Sequence, residues 1–314
     1  MDILAVGEPL LEFNARLDGV RPVQGGDAFG VGYGGDTSNF AVAAARSGAR
    51  TGYVTRIGDD DFGAAFLRLW EREGVGTEHV VREEGGRTGI YFISRTETES
   101  RFTYYRAQSP ASRLAPRDVP AEAVGRAKLV HLSGITQAIS PSACDAGFHA
   151  MELARRAGAL VSYDPNLRPA LWPAERARAV IMRAVELADI ALPNLTEGRT
   201  LTGEDEPRAV LDAFVRRGPS IVVLKMGAEG ALVAHEGTVT RVDPYPVQQV
   251  DPTGAGDTFD GAFAARLLDG TPVPEAARYA AVAAALTTTG HGAVTPIPRR
   301  GTVDAALAGG PQPV

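Results

Sequence analysis

The strongest constraint on the fold is a regular alternation of short apolar runs with amphipathic segments along the 314 residues. Runs such as DILAVG, TGYVTRIG, LVHLSG and SIVVLKMG are mostly apolar, which is typical of strands buried in a parallel sheet. The intervening segments repeat apolar residues at helical spacing, and several end in glycine, a common residue just after a helix. This alternation predicts an α/β fold in which helices cover both faces of a mostly parallel sheet.

Two segments interrupt the alternation. Residues 10–33 contain several glycines without a helical period, and residues 87–106 have the pattern of two antiparallel strands joined by a polar turn. We expect both segments to form one small β-sheet that acts as a lid over the C-terminal edge of the parallel sheet, where doubly wound folds bind ligands. Residues 1–314 are expected to form a single domain.

Composition excludes several classes of function. A net charge of −6 and a pI of about 5.5 argue against binding to nucleic acid or to an anionic membrane. Cys144 is the only cysteine, so no internal disulfide and no thiol-rich metal site can form. The N-terminus has the pattern of a strand rather than a signal peptide, and no run approaches the roughly 18 apolar residues of a membrane span. We therefore expect a cytoplasmic protein.

Residues 251–259, DPTGAGDTF, place small residues and a carboxylate at the start of an apolar helical segment. Gly254, Ala255 and Gly256 would let the N–H groups of a helix N-terminus approach an anion closely. If a phosphoryl group binds there, Asp257 is within reach of an attacking hydroxyl and would accept its proton. The structural alternative is that Asp257 only complements the helix dipole. In either case we expect the helix end to lower the pKa of Asp257.

The segment DPTGAGDTFDGAFAARLL resembles the C-terminal signature of the ribokinase-like (PfkB) carbohydrate kinases, and residues 34–63 resemble their N-terminal signature. The resemblance extends over essentially the whole chain. It implies a three-layer α/β/α sandwich with a small β-sheet lid, and transfer of a phosphoryl group from ATP, with Mg²⁺, to a sugar hydroxyl. It also implies a monovalent cation near Asp251 and Thr253. Open lid edges, which relatives often pair into dimers, lead us to expect a homo-oligomer.

The same resemblance indicates the nucleotide side of the site. Asn194 and Glu197 of PNLTE match a family pair that organises Mg²⁺ and the phosphates, although alone they would indicate a helix capping box. Lys225, Gly227 and Gly230 of LKMGAEG match the nucleotide loop, for which an ordinary hairpin turn is the alternative. Residues 280–293 should form the adenine wall. Many relatives have asparagine where this chain has Ala281.

The sugar side is predicted from two regions. Gly34, Gly35, Asp36 and Asn39 of GGDTSN offer carboxylate and amide groups to sugar hydroxyls, and a helix N-cap is the alternative for Asp36. The segments TGIYF, FTYYRAQSPASRLAP and DPNLRPALW resemble the 2-keto-3-deoxygluconate kinases, which phosphorylate that keto acid to its 6-phosphate.

A substrate carboxylate requires arginine and tyrosine donors. We expect Tyr91, Tyr105, Arg106 and Arg168 to supply them. Adjacent strand residues face opposite ways, so Tyr104 and Tyr105 cannot both face the ligand, and we assign that role to Tyr105.

The sequence also bears on other sugar substrates and on other classes of protein. Ala293 stands about where 2-keto-3-deoxygluconate kinases often carry aspartate, so fructose, ribose and other sugar acids stay open as substrates. Neither lysine, Lys128 or Lys225, lies in the Gly-Lys-Ser/Thr pattern of a P-loop. Residues 30–35, GVGYGG, fit the dinucleotide fingerprint, but no buried strand precedes them. A non-catalytic sugar or nucleoside sensor on this fold should have lost Asp257 or the anion pocket, and both are intact.

Overall fold

Two β-sheets organise the chain, and the computed structural model describes them within residues 1–16, 23–95 and 100–309. The strands of those residues are, in chain order, β1 (Ile3–Val6), β2 (Leu10–Arg16), β3 (Ala28–Gly34), β4 (Thr51–Gly58), β5 (Gly76–Glu83), β6 (Ile90–Arg95), β7 (Ser100–Tyr105), β8 (Leu129–Ser133), β9 (Leu160–Asp164), β10 (Ile190–Ala191), β11 (Ile221–Lys225), β12 (Ala231–His235) and β13 (Thr238–Val242).

Nine strands of the described residues form the large sheet, in the order β13-β12-β11-β10-β9-β8-β1-β4-β5. The strands from β11 to β5 in this order pair in parallel, and β12 and β13 extend the β11 edge in antiparallel fashion. The parallel strands are buried on both faces in the middle of the sheet, which explains their continuous apolar runs. The predicted mostly parallel sheet is thereby confirmed.

Helices cover both faces of this sheet. In chain order the described helices are α1 (Asp36–Arg46), α2 (Asp61–Glu73), α3 (Ala121–Arg126), α4 (Gly134–Ala138), α5 (Pro141–Ala157), α6 (Ala174–Leu187), α7 (Leu195–Thr202), α8 (Pro207–Val215), α9 (Ala255–Leu268), α10 (Val273–Thr287) and α11 (Arg300–Leu307). One apolar core includes Phe40 of α1 and Phe263 of α9, and a second core includes Met151 of α5 and Phe214 of α8. The predicted three-layer α/β/α sandwich is confirmed.

The small sheet has the order β3-β2-β6-β7. Its two hairpins, β2 with β3 and β6 with β7, are antiparallel, and β2 and β6 join them in parallel. The two segments predicted to form one lid therefore do form one sheet. Residues 17–22 and 96–99 of the predicted lid and residues 310–314 lie outside the described residues, and the assignment of 1–314 to a single domain stays a prediction. No helix in the described ranges combines the length and apolarity needed to cross a membrane.

Close packing of α9 against α1 fixes the geometry of the site. A Cβ atom at Gly261 of α9 would overlap the carbonyl oxygen of Phe40 and lie 2.8 Å from the Cβ atom of Ala43, both in α1. The two helix backbones can approach this closely only because residue 261 has no side chain. Their approach brings the first turn of α9 to α1, where the Asn39 Nδ2 atom donates to the Asp257 Oδ2 atom at 2.8 Å.

We expect the Gly261→Ala substitution to lower the free energy of unfolding by about 1–3 kcal/mol, because the added methyl group overpacks the α1–α9 contact. The matched control is Gly125→Ala in α3, where a Cβ atom would meet nothing within 4 Å. That variant should be neutral or more stable by about 0.5–1 kcal/mol, since alanine favours a helix over glycine. Urea denaturation measures both values, and equal effects would contradict the close-packing argument.

Candidate active site

A cavity of about 1190 Å³ opens where the C-terminal ends of β9 and β11 meet the N-terminus of α9. Leu10, Tyr91 and Tyr104 of the small sheet line one side of it, and residues 244–247 and 281–293 contribute to the other. The C-terminal edge of a doubly wound sheet is the expected position for a ligand site. The volume exceeds that of a typical drug-sized pocket, so two ligands can occupy it together.

The N-terminus of α9 forms an anion-binding wall of this cavity. Gly254 is the N-cap residue with a φ of 78°, and a Cβ atom there would lie 2.6 Å from the Ala293 carbonyl oxygen. Both the left-handed backbone and the lack of space therefore require glycine. Gly254, Ala255 and Gly256 line the cavity. The Ala255 N–H group donates to the Pro252 carbonyl oxygen at 3.2 Å, so the N–H groups at Gly254 and Gly256 are the ones that can bind an anion there. The helix start predicted from DPTGAGDTF is confirmed.

Asp257 lies in the first turn of α9 and is partly buried where it lines the cavity. Burial, together with the nearby charge of Asp36, raises its pKa to about 7, while the hydrogen bond from Asn39 acts in the opposite direction. The expectation that the helix end lowers this pKa was wrong, because removal from water and a second carboxylate outweigh the helix dipole. A carboxyl group with a pKa near neutrality is well suited to accept a proton.

Asp36 lies across the cavity from the nucleotide side and accepts a hydrogen bond from the Asn166 Nδ2 atom at 3.1 Å. The N-cap of α1 is Gly35 (φ 92°), so the alternative role of Asp36 as that N-cap was wrong. Burial raises the pKa of Asp36. Gly35, Asp36 and Asn39 all line the cavity, whereas a Cβ atom on Gly34 would lie 2.5 Å from the Tyr91 hydroxyl. Gly34 therefore makes room for Tyr91.

The tyrosine prediction was wrong in one respect. Tyr104 lines the cavity, and its ring stacks on that of Tyr91 with a centroid distance of 5.6 Å. Tyr105 is 63% exposed and packs edge-on against Phe92, on the opposite face of the small sheet. The β6–β7 register pairs Tyr91 with Tyr104, so these two side chains share the face that covers the cavity.

The predicted arginines line the cavity in different electrostatic settings. Arg106 forms an ion pair with the fully buried Glu8, and its guanidinium group lies 5.6 Å from the centre of the Tyr104 ring. Arg168 is about half exposed, with its Nη1 atom 3.6 Å from the Oε1 atom of Glu197. Arg168 therefore lies between the predicted sugar side and the predicted nucleotide side.

On the nucleotide side, Asn194 caps α7 and forms a reciprocal capping box with Glu197. The capping box given as the alternative role of these residues is therefore present, and both residues also line the cavity. Burial and the charge of Asp164 raise the pKa of Glu197 to about 7. Gly227 and Gly230 lie in the hairpin turn between β11 and β12, which was the alternative for this loop, and both line the cavity.

Lys225 ends β11 with its side chain only 12% exposed, and its Nζ atom donates to both carboxylate oxygens of Asp260 at 2.9 Å. The same atom lies 3.5 Å from the Oδ2 atom of Asp164. The ammonium group is thus held among carboxylates, and it lies 3.8 Å from the position of a Cβ atom on Gly256. It is therefore adjacent to the anion-binding wall.

Sequence reasoning missed several polar residues of the site: Glu8, Glu12, Tyr104, Asp164, Asn166 and Asp260. Asp164 had a visible signal, because it ends a buried strand at the edge where ligands bind. Glu12 accepts a hydrogen bond from the Tyr91 hydroxyl at 2.5 Å and is 2% exposed. A buried acid of this kind in a β-strand could be noticed in the sequence, but its partner could not.

In the described ranges no cluster of three or more histidine, cysteine or acidic side chains could hold a metal ion by itself. Magnesium, however, is usually held by one or two carboxylates together with substrate phosphates. Glu197 fits that pattern, because its buried carboxylate lines the cavity together with the residues of the anion-binding wall. The residues present therefore suit a magnesium ion that arrives with a nucleotide.

Comparison with known proteins identifies the family. The model of the pfkB family carbohydrate kinases matches residues 2–300. The chain is 36% identical to the 2-dehydro-3-deoxygluconokinase of Thermoproteus tenax, covering 91% of this chain and 88% of that protein. It is 34% identical to fructokinase-1 of Oryza sativa subsp. japonica, covering 94% of each.

A putative ribokinase II from E. coli, solved in complex with ATP and Mg²⁺, superposes with a TM-score of 0.91 at 26% identity, covering 98% of this chain and 99% of that one. The agreement in fold accompanies a family match that runs through both signature segments. The chain therefore belongs to the pfkB family of carbohydrate kinases.

Proposed function

We propose that this carbohydrate kinase transfers the γ-phosphoryl group of ATP to a hydroxyl of 2-keto-3-deoxygluconate, forming its 6-phosphate. The observation that carries the proposal is the position of Asp257, a partly buried carboxylate beside the anion-binding N-terminus of α9 in a cavity that also contains Arg106 and Arg168. The relative from Thermoproteus tenax supports this substrate. A fructokinase is the alternative, supported by the rice relative of nearly equal identity.

Each group of the site then has a chemical role. The sugar hydroxyl attacks the γ-phosphorus of ATP, an O–P bond forms, and the bond to the bridging oxygen breaks as ADP leaves with that electron pair. Asp257 orients the hydroxyl and receives its proton. The N–H groups at Gly254 and Gly256, on either side of Ala255, stabilise the negative charge on the phosphoryl oxygens. Asn39 holds the Asp257 carboxylate in place through its hydrogen bond.

The nucleotide is proposed to lie between the β11–β12 turn and α10. Glu197 and Asn194 would hold the magnesium ion that accompanies ATP, and this ion neutralises phosphate charge. Lys225, Gly227 and Gly230 would face the phosphates. The adenine would pack against a wall of small side chains from residues 281–293, where Ala281, Ala284 and Ala285 line the cavity.

The substrate carboxylate is proposed to bind Arg168, with Tyr91, Tyr104 and Arg106 beside it. Arg168 supports this role because it is about half exposed and only loosely paired with Glu197 at 3.6 Å. Arg106 presents less net charge, because Glu8 pairs with it. That neutralisation is the observation that favours the alternative, since a neutral sugar such as fructose needs no cation. Gly35, Asp36 and Asn39 would bind sugar hydroxyls in both cases.

Four further expectations stay predictions. A monovalent cation near Asp251 and Thr253 would lie in a loop where Asp251 accepts hydrogen bonds from Thr253 and from the Gly292 N–H group. Homo-oligomerisation would use the small sheet. Location in the cytoplasm and the absence of nucleic-acid binding are also still to be tested.

The substrate is tested by ADP formation from ATP with 2-keto-3-deoxygluconate, fructose and ribose. We expect the keto acid to give the highest kcat/KM. Arg168→Ala should raise KM for the keto acid by about 10- to 100-fold, the effect of losing a charged hydrogen bond of about 1.5–3 kcal/mol, and should leave fructose nearly unchanged. Tyr105→Phe is the control without effect, in contrast to Tyr104→Phe. Equal losses on both sugars would reject the carboxylate role, and no ADP formation with any sugar would reject the function.

The base is tested by Asp257→Asn, which keeps the size of the side chain but cannot accept a proton. We expect the rate of phosphoryl transfer to fall by about 10²–10⁴-fold, the usual contribution of general base catalysis. Nucleotide affinity should hold or increase slightly, because a negative charge near the phosphates is lost. The measurement is single-turnover phosphoryl transfer at saturating ATP. A rate within a few-fold of the parent would mean that Asp257 is only a helix-dipole partner.

The pH dependence follows from the raised pKa of Asp257. Because this group is protonated below about pH 7, kcat/KM should fall as pH decreases through about 7, by tenfold per unit well below it. The Asn39 hydrogen bond lowers the pKa of Asp257, so Asn39→Leu should move this acid limb to higher pH. A pH–rate profile of both proteins measures the limb. A limb that stays in place in the variant belongs to another group.

A further inference from the structure

The mechanism above gives no role to Asp260, although it is among the most deeply buried charges of the described residues. Asp260 lies in α9, one turn after Asp257, and is 1% exposed. It does not line the cavity, whereas its partner Lys225 does. A buried carboxylate is unfavourable unless it is paired and hydrogen-bonded. Asp260 meets this condition through Lys225, whose Nζ atom is 2.9 Å from both of its carboxylate oxygens.

This pairing orients the Lys225 ammonium group. An ammonium group has three N–H donors. Both oxygens of Asp260 lie 2.9 Å from the Nζ atom, so the carboxylate occupies one side of the ammonium group and fixes its position. The remaining contact, to the Oδ2 atom of Asp164, is 3.5 Å long and therefore weak. The Nζ atom also lies 3.8 Å from the Cβ position of Gly256 at the anion-binding wall. The weakly held donor is thus beside the place where a phosphoryl group would bind.

The surrounding charges show why the Lys225 ammonium group has to be held in place by Asp260. Asp164, Glu197 and Asp257 all line the same cavity, and the charge of Lys225 lowers the pKa of Glu197 and of Asp257. Without Asp260, the flexible lysine side chain could turn fully toward Asp164 or Glu197, or follow the nucleotide phosphates. Asp260 competes with all of them from beneath the cavity, on the rigid helix that also carries Asp257.

We propose that Asp260 is a positioning residue for phosphoryl transfer, which holds the Lys225 ammonium group beside the N-terminus of α9 so that an N–H on the side away from Asp260 meets the phosphoryl group in transit. The proposal rests on the proposed kinase function. Fixed in this way, the ammonium group stabilises the transition state more than bound ATP, and only such a difference accelerates the reaction. Asp260 also neutralises part of its charge, so that ATP is not held too tightly in the ground state.

The test is a double-mutant cycle of Asp260→Asn and Lys225→Met with the best sugar substrate of the parent. We expect Asp260→Asn to lower kcat by about 10- to 100-fold, to leave the KM of the sugar within about twofold, and to tighten ATP binding by about 3- to 10-fold. Loss of turnover with gain of ATP affinity is not expected from a purely structural defect. In the Lys225→Met background, Asp260→Asn should have no further effect on kcat, because it acts only through the ammonium group.

The matched control is Asp118→Asn, which removes a buried partner of Arg56 outside the cavity. It should leave kcat and ATP affinity unchanged. If Asp260→Asn does not fold, Lys225→Met with Asp260→Leu replaces the pair by apolar side chains, which often preserve stability. This protein should be as slow as Lys225→Met alone.

The proposal is overturned if the kcat of Asp260→Asn is unchanged, or if its ATP affinity falls together with kcat. It is also overturned if the kcat losses of the two single variants multiply in the double variant. The proposed function fails separately, by absence of sugar-dependent ADP formation in the parent protein. Even then, equilibrium ATP binding by the parent and by Asp260→Asn tests whether Asp260 holds Lys225 in place, since equal ATP affinities would reject that role.

Discussion

The site depends on keeping several carboxylates buried beside one helix N-terminus. Burial raises the pKa of Asp36 and of Asp257, the charge of Asp164 raises both further, and the charge of Asp36 also raises that of Asp257. Such groups remain ionised only where donors compensate them. The chain supplies the Asn39 amide for Asp257 and the Asn166 amide for Asp36, so each carboxylate has a defined orientation. The cost of burial is therefore converted into a base that titrates near neutral pH.

The two family signatures are far apart in sequence and function as one unit in space. The hydrogen bond from Asn39 to Asp257 joins residues separated by 218 positions, and it forms because α1 and α9 pack almost backbone to backbone at Gly261. Glycine in the middle of a helix is otherwise unfavourable. Its presence at this contact links the packing of one core to the position of the base. A change in the spacing of these helices would move Asn39 away from Asp257 without altering any residue of the cavity.

Much of the fold could be predicted from sequence because it follows from local periodicity. Buried strands and amphipathic helices were recognised by pattern, but β5 was not, since its GTEHVVRE segment is polar and only partly buried at the sheet edge. The site was predicted less completely, because its properties are tertiary. Because side chains alternate along a strand, Tyr104 and Tyr105 must face opposite sides of the sheet. Only the register with Tyr91 determines which of them faces the cavity. The pKa of Asp257 was misjudged for a similar reason, since the helix dipole is visible in sequence and burial beside Asp36 is not.

The choice of substrate is the question on which overall similarity carries least weight, since the kinases of a sugar acid and of a neutral sugar match this chain almost equally. The electrostatics of the cavity are more informative. Arg106 is paired with Glu8, and the Glu8 carboxylate also accepts a hydrogen bond from Ser109 at 2.9 Å, so this pair adds little net charge. Arg168 is paired only loosely with Glu197. If Mg²⁺ and the ATP phosphates bind beside Glu197, the contact between Glu197 and Arg168 weakens. Arg168 then becomes more available to a substrate carboxylate. In a site of this design, binding of the nucleotide would itself favour binding of an acidic sugar.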